Sequence, residues 1–450
     1  MRLSSALEIR PRDIVTFVGA GGKTSAMFRL ARELVEEGYR VVTSTTTRIA
    51  RDELALAPHA LEIDLQNPPP PEFVEILERD RHLFLYSTIE GDKVRGVTLD
   101  WLAANLGACA GCDAMLIEGD GTRRLPFKAP YPHEPVIPSA TTLVIPVAGL
   151  VALGQPLNDT NVYGVPNILA HLPAKVEAPI TPEMIGATLL HPQLGMKNIP
   201  RHARVIPLLN RVTSNTLDSA RSVARLLLSD MNVHRVLIGT VLEEPPIWEV
   251  QRRVGAVVLA AGQSTRMGQP KVLLPWGEGT MIRHICEQVL AIHPYEVVVV
   301  AGEHLDAIKE ELKGLPLRVV YNPRYAEGEM LSSLQTGLEA IWSTSDACLV
   351  ILGDQPAIAG AIVQELLDVY AQGKGPIVAP VVEGQRGHPL IIQNNFWQAL
   401  MELPAGAAPR DMLQAHQEAV YQHPVSSSSV LMDIDTPEDY QSALKRDAEG

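Results

Sequence analysis

Residues 254–271 read VGAVVLAAGQSTRMGQPK. The run Val254–Ala260 carries Val and Leu on both faces, the pattern of a buried parallel strand. The segment Leu259–Lys271 then reads as a loop that lets backbone approach a phosphate chain. Ala260, Ala261 and Gly262 leave room, and Gly262 and Gly268 permit backbone angles that other residues resist. Consecutive N–H groups in such a loop form an anion-binding nest. Arg266 and Lys271 place two positive charges where negative charge builds up in phosphoryl transfer. Leu259, Ala260, Ala261, Gly262 and Gly268 are therefore candidate nucleotide contacts, and Arg266 and Lys271 candidate catalytic groups. The plain alternative is a tight turn with surface cations.

Working outward, short apolar runs alternate with amphipathic stretches along the whole chain. Strands are expected at Ile14–Val18, Arg40–Thr43, Ala114–Glu118, Thr142–Pro146, Arg204–Leu209 and Val236–Gly239. In the second half they are expected at Val254–Ala260, Glu296–Ala301, Leu317–Tyr321, Ala347–Leu352, Ile377–Pro380 and Val430–Ile434. Met281, Ile285, Val289 and Ile292 repeat at helical spacing and give one apolar face. Alternation on this scale predicts α/β layers, with helices on both faces of mostly parallel sheets. The best boundary is LEEPPIWEVQRR, Leu242–Arg253, whose Pro245-Pro246 pair breaks helix and sheet alike. The expected domains are 1–243 and 253–450. Pro68–Pro71 reads as a stiff loop inside the first.

The chain has 450 residues, 46% of them hydrophobic and 20% charged, an ordinary globular balance with ample core. A net charge of −14 repels a phosphate backbone, so nucleic acid is not an expected partner. No apolar run is long enough to span a bilayer, and the N-terminus lacks the apolar core of a signal peptide. The expectation is a cytoplasmic protein without a membrane partner. Four cysteines are too few and too scattered for a disulfide framework. Cys109 and Cys112 form a lone C-x-x-C, read as two ordinary thiols, with a redox pair or half a metal site as alternatives.

Gly353-Asp354-Gln355-Pro356 follows the run Ala347–Leu352. A carboxylate at the end of a parallel strand lies where ligands bind. Asp is a hard oxygen ligand suited to Mg²⁺, which takes one or two carboxylates plus substrate phosphates. Asp354 is thus a candidate catalytic and metal residue. In Asp433-Ile434-Asp435-Thr436-Pro437-Glu438-Asp439, Thr436 is a good N-cap, Pro437 suits the first helical position and Asp439 falls at N3. Capping leaves Asp433 and Asp435 unexplained. Strand alternation would put both on one face, and Asp435, nearer the strand end, is favoured as the second metal ligand.

Residues 14–25, IVTFVGAGGKTS, again join a strand, a glycine loop and a helix start. The pattern G-x-x-G-K-T is two residues shorter than the usual P-loop. Gly19, Gly22, Lys23, Thr24 and Ser25 are candidate contacts for the phosphates of ATP or GTP, aided by the helix N-terminus. A glycine turn that merely caps a helix is the alternative. Glu118 and Asp120 end the strand AMLIE and are candidate metal partners. Arg123, Arg124 and Lys128 form a local basic cluster beside them.

LAAGQSTRMGQPK, GDQP, Arg386-Gly387-His388-Pro389 and DIDTPEDY occur in the order and spacing of the MobA-like nucleotidyltransferases, and residues 253–445 resemble molybdenum cofactor cytidylyltransferases most. The resemblance implies a Rossmann-like fold and the reaction of CTP with a molybdopterin-type cofactor to give its cytosine dinucleotide form and pyrophosphate. It implies that Asp354 with Asp435 holds Mg²⁺. It also implies that the 322–334 segment, with Ser332, lines the nucleotide cleft, and that Gly387, His388 and Pro389 face the pterin. His388 is alternatively an ordinary loop histidine. Guanylyl-transferring relatives resemble L-A-G-G where this loop has Leu259-Ala260-Ala261-Gly262, so the Ala261 methyl favours CTP over GTP. VGAGGKTS, TSTTTR and IEGDGTRRLPFKAPYPHEPVIP resemble the YqeC-like accessory proteins of selenium-dependent molybdenum hydroxylases. That resemblance implies a nucleotide-dependent accessory role and a molybdenum hydroxylase apo-enzyme as partner. Leu209-Asn210-Arg211 resembles the N-K-x-D base-reading motif of GTPases, with Arg in place of Lys and Thr213 in place of Asp. The expected architecture is thus two Rossmann-like or P-loop-like three-layer domains.

Overall fold

The computed structural model describes all residues except 108–110, 263–266, 268, 328–329, 405 and 450. It divides into two units, Met1–Gln251 and Arg252–Gly450.

The first unit is built on β1 (Asp13–Gly19), β2 (Val41–Thr45), β3 (Ala60–Glu62), β4 (His82–Tyr86), β5 (Ala114–Glu118), β6 (Leu143–Gly149), β7 (Leu208–Asn210), β8 (Val236–Gly239) and β9 (Ile247–Gln251). They lie in the order β9-β8-β7-β6-β1-β5-β2-β4-β3. All neighbours are parallel except the edge pair β8/β9. Alternate residues of β1 face opposite cores. Val15 and Phe17 pack with Met27, Leu30 and Leu34 of α1 (Lys23–Glu36), whereas Ile14 and Val18 join two other clusters. That double burial is why the strand reads as a continuous apolar run.

The second unit has β10 (Val254–Ala260), β11 (Glu296–Ala301), β12 (Arg318–Tyr321), β13 (Ala347–Leu352), β14 (Ile377–Val382), β15 (Gln385–Arg386), β16 (Leu390–Gln393) and β17 (Val420–Pro424). The sheet order is β12-β11-β10-β13-β16-β14-β15, with β17 paired to β14. β16 runs antiparallel to both β13 and β14. Ala256 and Val258 pack on α2 (Met281–Ala291) through Ile282, Ile285 and Val289. Val257 faces the other layer, against Leu334, Leu338 and Ile341 of α3 (Met330–Ile341). Each unit is therefore a three-layer α/β structure with a mostly parallel sheet. Among the described residues no helix is long and apolar enough to cross a membrane.

Four expectations need correction. The expected boundary at 242–253 contains β9, which closes the first sheet as an antiparallel edge, so this unit continues past residue 243. The run Arg204–Leu209 forms two strands, Arg204–Val205 and Leu208–Asn210, on either side of Ile206-Pro207. Proline has no N–H to give a ladder. Val430–Ile434 is not a strand. Ser428–Leu431 is a 3₁₀ turn and 432–435 has no regular secondary structure. β4, β16 and β17 were not anticipated: the apolar runs of β4 and β16 are only four and three residues long, and in β17 Gln422 and His423 hide the pattern.

His82 opens β4 buried beneath the sheet, 3.0 Å from Thr43 Oγ1. Burial pulls its pKa down to about 4. An unfolded histidine titrates near 6.5, so above that pH both states are neutral and nothing is lost. As pH falls from there towards 4 the unfolded chain takes the proton first, and stability drops. His82→Gln removes the titration and keeps a side chain that can bond Thr43. The stability difference between wild type and His82→Gln should shift by roughly 2–3 kcal/mol between about pH 7.5 and about pH 4.5, with wild type losing more. Denaturant titrations at the two pH values measure it. Parallel profiles would show that His82 protonates freely in the fold.

Candidate functional site

In the first unit the ends of β1, β5 and β6 meet. β1 is central, with its parallel neighbours on either side, which is the switch-point position where open α/β sheets bind ligands. The chain leaves β1 through Gly19–Gly22 and enters α1 at Lys23. Gly21 and Gly22 have φ of +91° and +123°. A Cβ on Gly21 would sit 2.3 Å from Gly149 N, and one on Gly22 would sit 2.4 Å from Asn210 Nδ2. Only glycine fits this loop at both positions.

Lys23 is buried and its ammonium is surrounded by oxygen. Nζ donates to Gly19 O at 2.8 Å and lies 3.2 Å from Asp120 Oδ1 and 3.5 Å from Glu118 Oε1. Burial alone would lower its pKa, but the Asp120 and Glu118 carboxylates outweigh that and raise it. Thr24 Oγ1 donates to Glu118 Oε2 at 2.7 Å. Burial raises the pKa of Glu118, against the pull of Lys23 and Thr24. Asp120 Oδ2 accepts from Gly19 N at 3.1 Å and pairs with Lys128 at 3.0 Å. Asp120 Oδ1, also buried, has no hydrogen-bond partner among the described residues, although it lies close to the Lys23 ammonium.

The structure therefore brings Gly19, Gly22, Lys23, Thr24, Glu118 and Asp120 together, with Ser25 in the first turn of α1. The basic cluster resolves differently from its expectation. Lys128 is buried, pairing Asp120 with Glu134 at 2.9 Å and donating to Gly121 O at 2.6 Å. Arg123 and Arg124 are exposed, with φ of +50° and +64°. Arg123 lies over the Tyr163 ring, 5.6 Å from its centroid, and Arg124 faces Asp52 at 3.6 Å. Glu134 was missed because it sits in a proline-rich loop that gives no local signal, although it follows Lys128 by only six residues.

In the second unit β10 is the central strand, with β11 on one side and β13 on the other. Leu259 and Ala260 end β10, and Leu259 O accepts from Gly353 N at 2.9 Å. Asp354 is thereby placed just beyond the end of β13. Lys271 Nζ lies 2.5 Å from Asp354 Oδ2 and 3.0 Å from Asp435 Oδ1. Burial lowers the Lys271 pKa less than Asp354 and Asp435 raise it, and the net shift is upward. Asp433 turns to Gln355, whose Nε2 donates to Asp433 Oδ1 at 2.7 Å. Burial, then Asp354, raises the Asp433 pKa. The two aspartates thus separate by role. Asp435 faces the lysine, while Asp433 is held by an amide, in an irregular segment that belongs to no sheet. Thr436 Oγ1 accepts from Asp439 N at 3.2 Å, the capping expected of it.

Ser332 and Ser333 both accept from Asn322 Nδ2, at 3.0 and 3.1 Å, so buried Asn322 fixes the start of α3. His388 N donates to Val430 O at 3.0 Å, and burial pulls the imidazole pKa down to about 4, with Asp354 acting the other way. Gly387 packs its Cα against Val430 O, where a Cβ would come within 2.2 Å, and Pro389 follows it in the same turn. Gly262 does not need glycine's freedom: its φ is not in the left-handed region and a Cβ there would meet nothing within 4 Å. Arg266 and Gly268 lie outside the described residues, as does Cys109. The Cys112 thiol is pushed up to about 11 by burial, the reverse of what an activated thiol needs.

A model of the MobA-like NTP transferase domain matches residues 256–420, and a model of the YqeC protein matches residues 15–166. The uncharacterized protein YqeC of Escherichia coli strain K12 is 30% identical over 234 residues, covering 52% of this chain and 90% of its own. Molybdenum cofactor cytidylyltransferase of the same organism is 25% identical over 194 residues, 43% of this chain and 96% of its own. Nicotine blue oxidoreductase of Paenarthrobacter nicotinovorans is 32% identical over 193 residues, 41% of this chain and 93% of its own. Two relatives of such different name and similar identity leave the substrate of the second unit to be argued from its own residues. The chain belongs to the YqeC family through its first unit, and through its second to the MobA-like NTP transferases, which makes that unit a nucleotidyltransferase domain.

Proposed function

We propose that the second unit transfers a cytidylyl group from CTP to a molybdopterin-type cofactor, and that the first unit binds ATP or GTP in an accessory step of molybdenum hydroxylase maturation. The observation that carries the first statement is Lys271 set between Asp354, just beyond the end of β13, and Asp435, on a segment outside the sheet. Two hard carboxylates from separate segments converge there, a donor set that suits Mg²⁺ completed by substrate phosphates. When bound, the ion would offset the charge of the triphosphate.

The protein's own residues do the rest. The backbone after β10 cradles the triphosphate, and Lys271 exchanges carboxylate for phosphate oxygen as the nucleotide enters. A phosphate oxygen of the cofactor attacks the α-phosphorus in line. The new phosphoanhydride forms as the α–β bond breaks, and the electron pair leaves with pyrophosphate. No covalent enzyme intermediate is needed, so positioning and fixed positive charge supply the catalysis. Gly387, His388 and Pro389 form the wall towards the pterin, with His388 as a neutral imidazole. Ser332 lines the cleft while Asn322 holds it in place. Arg266 belongs to the phosphate-contacting loop in this reading.

In the first unit the Lys23 cage has the same logic. Thr24, Glu118 and Asp120 suit a hydrated Mg²⁺, and Asp120 Oδ1, ion-paired with Lys23 but accepting no hydrogen bond among the described residues, is the atom that fits a cation best. Lys23 and the start of α1 receive the phosphates. The hydroxylase apo-enzyme is the expected recipient of the matured cofactor.

Three outcomes test these readings. Asp354→Asn should cut pyrophosphate release from CTP and molybdopterin at least about 10²-fold, roughly 2.7 kcal/mol of transition-state stabilisation. Near-normal turnover at saturating Mg²⁺ would falsify the assignment. Second, the buried methyl of Ala261 should favour CTP over GTP by about 1–3 kcal/mol, tens to hundreds of fold in kcat/KM. Ala261→Gly should move the ratio towards GTP, and equal kcat/KM in the wild type would sink the claim. Third, Lys23→Ala should abolish one class of nucleotide binding in the full chain and leave cytidylyl transfer within a few fold, since sites without shared contacts behave nearly additively. Loss of transfer in Lys23→Ala would mean that the two sites act as one.

A further inference from the structure

The Asn210 side chain is buried at the end of β7, and both ends of its amide are engaged. Nδ2 donates to Gly21 O at 2.7 Å, and Oδ1 accepts from Val241 N at 3.0 Å. Gly22 passes so close that a Cβ there would meet the same Nδ2 at 2.4 Å. A base-reading asparagine needs its amide turned to a ligand, and this one is spent on backbone. Thr213, at the position of the base-reading Asp, is also occupied locally: its N–H donates to Thr216 Oγ1 at 2.9 Å. The sequence likeness to N-K-x-D therefore does not describe what the residues do.

What Asn210 does is fix the phosphate loop from outside. The loop is two residues shorter than the usual pattern. Two of its amides are also committed, Gly19 N to Asp120 and Ala20 N to Val147 O. The anion-facing donors left to it are those around Gly21, Gly22 and the first turn of α1. The peptide that carries Gly21 O also carries the Gly22 N–H. Holding that carbonyl inward aims the Gly22 N–H the opposite way, because the peptide is planar and trans. The far side of the same amide is anchored on Val241 N. The adjoining segment is itself fixed to α1, since Arg29 donates to Val241 O and Glu243 O and pairs with Glu244 at 2.6 Å.

We propose that Asn210 is a positioning residue that presents the phosphate loop to the polyphosphate common to all nucleoside triphosphates, so that the first site does not select its ligand by the base. The proposal rests on the reading of the first unit as a nucleotide site. An Asp at position 210 has the shape of Asn and keeps the acceptor for Val241. When ionised it puts an acceptor against Gly21 O, and when protonated it supplies the missing donor again.

The test uses the full chain and calorimetric binding of ATP, GTP, CTP and inorganic triphosphate in the presence of Mg²⁺. The component removed by Lys23→Ala is assigned to the first site. Asn210→Asp should weaken that component at least tenfold at about pH 8, and by the same factor for the base-bearing ligands and triphosphate. On acidification the ratio of variant to wild-type affinity should climb back towards one, whereas Asn210→Ala, which has no group to protonate, should stay weak throughout. The pH rescue distinguishes positioning from mere support of the fold. A wild type with no Lys23-dependent binding would overturn both the nucleotide reading and this inference. Lys23-dependent binding that is unchanged in Asn210→Asp would overturn this inference alone, as would a loss confined to GTP or a defect without acid rescue.

Discussion

The ion cage of Lys23 with Glu118 and Asp120 is the constraint on which the first unit's site depends. A buried ammonium without partners is costly, and a buried carboxylate likewise. Each is tolerable here because the end of β1, the end of β5 and the start of α1 deliver them to one place. Lys128 extends the cage to Glu134 and so pins the loop that follows β5. Removing Lys23 leaves Glu118 without its cation in a dry setting.

The second unit meets the same requirement more loosely. Lys271 again lies between two carboxylates near the end of a central parallel strand, but Asp435 is about half exposed and arrives on an irregular segment. A more solvated pair costs less to separate. Such a lysine can exchange its carboxylates for phosphate as substrate enters and leaves, which suits a site that turns over. The cage of the first unit is buried more deeply, with Lys23, Glu118 and Asp120 all nearly inaccessible. In both units a lysine paired with two carboxylates follows the strand at the centre of the sheet.

Neighbouring amides do the quieter work of aiming these groups. Asn322 holds two serines at the start of α3, Gln355 holds Asp433 away from the lysine, and Asn210 holds Gly21 O. In each case an uncharged side chain joins elements that are distant in sequence. Buried amides of this kind fix orientation with little change in the local field, and they leave the charged groups free for the ligand.

The chain's local pattern was sufficient for the central strands, because they bury Val257, Val298 and Val350 in one layer and Val258, Val299 and Ile351 in the other, and the run of apolar residues records that burial. The same local pattern singles out Lys23, Thr24, Glu118, Lys271 and Asp354, since a strand end followed by glycine or a charge is a local signal. Thr436 and Asp439 cap their helix as the spacing predicts. Strands with polar positions, such as β4 and β17, and the edge strand β9 beside a proline pair were not legible, since their pairing comes from the sheet and not from their own residues. The roles of Lys128, Glu134, Asn210 and Asp433 were decided only in the tertiary structure. Asn210 and Asp433 depend on partners on distant segments, and Lys128 and Glu134 on the path of an irregular loop, and neither leaves a period in the sequence.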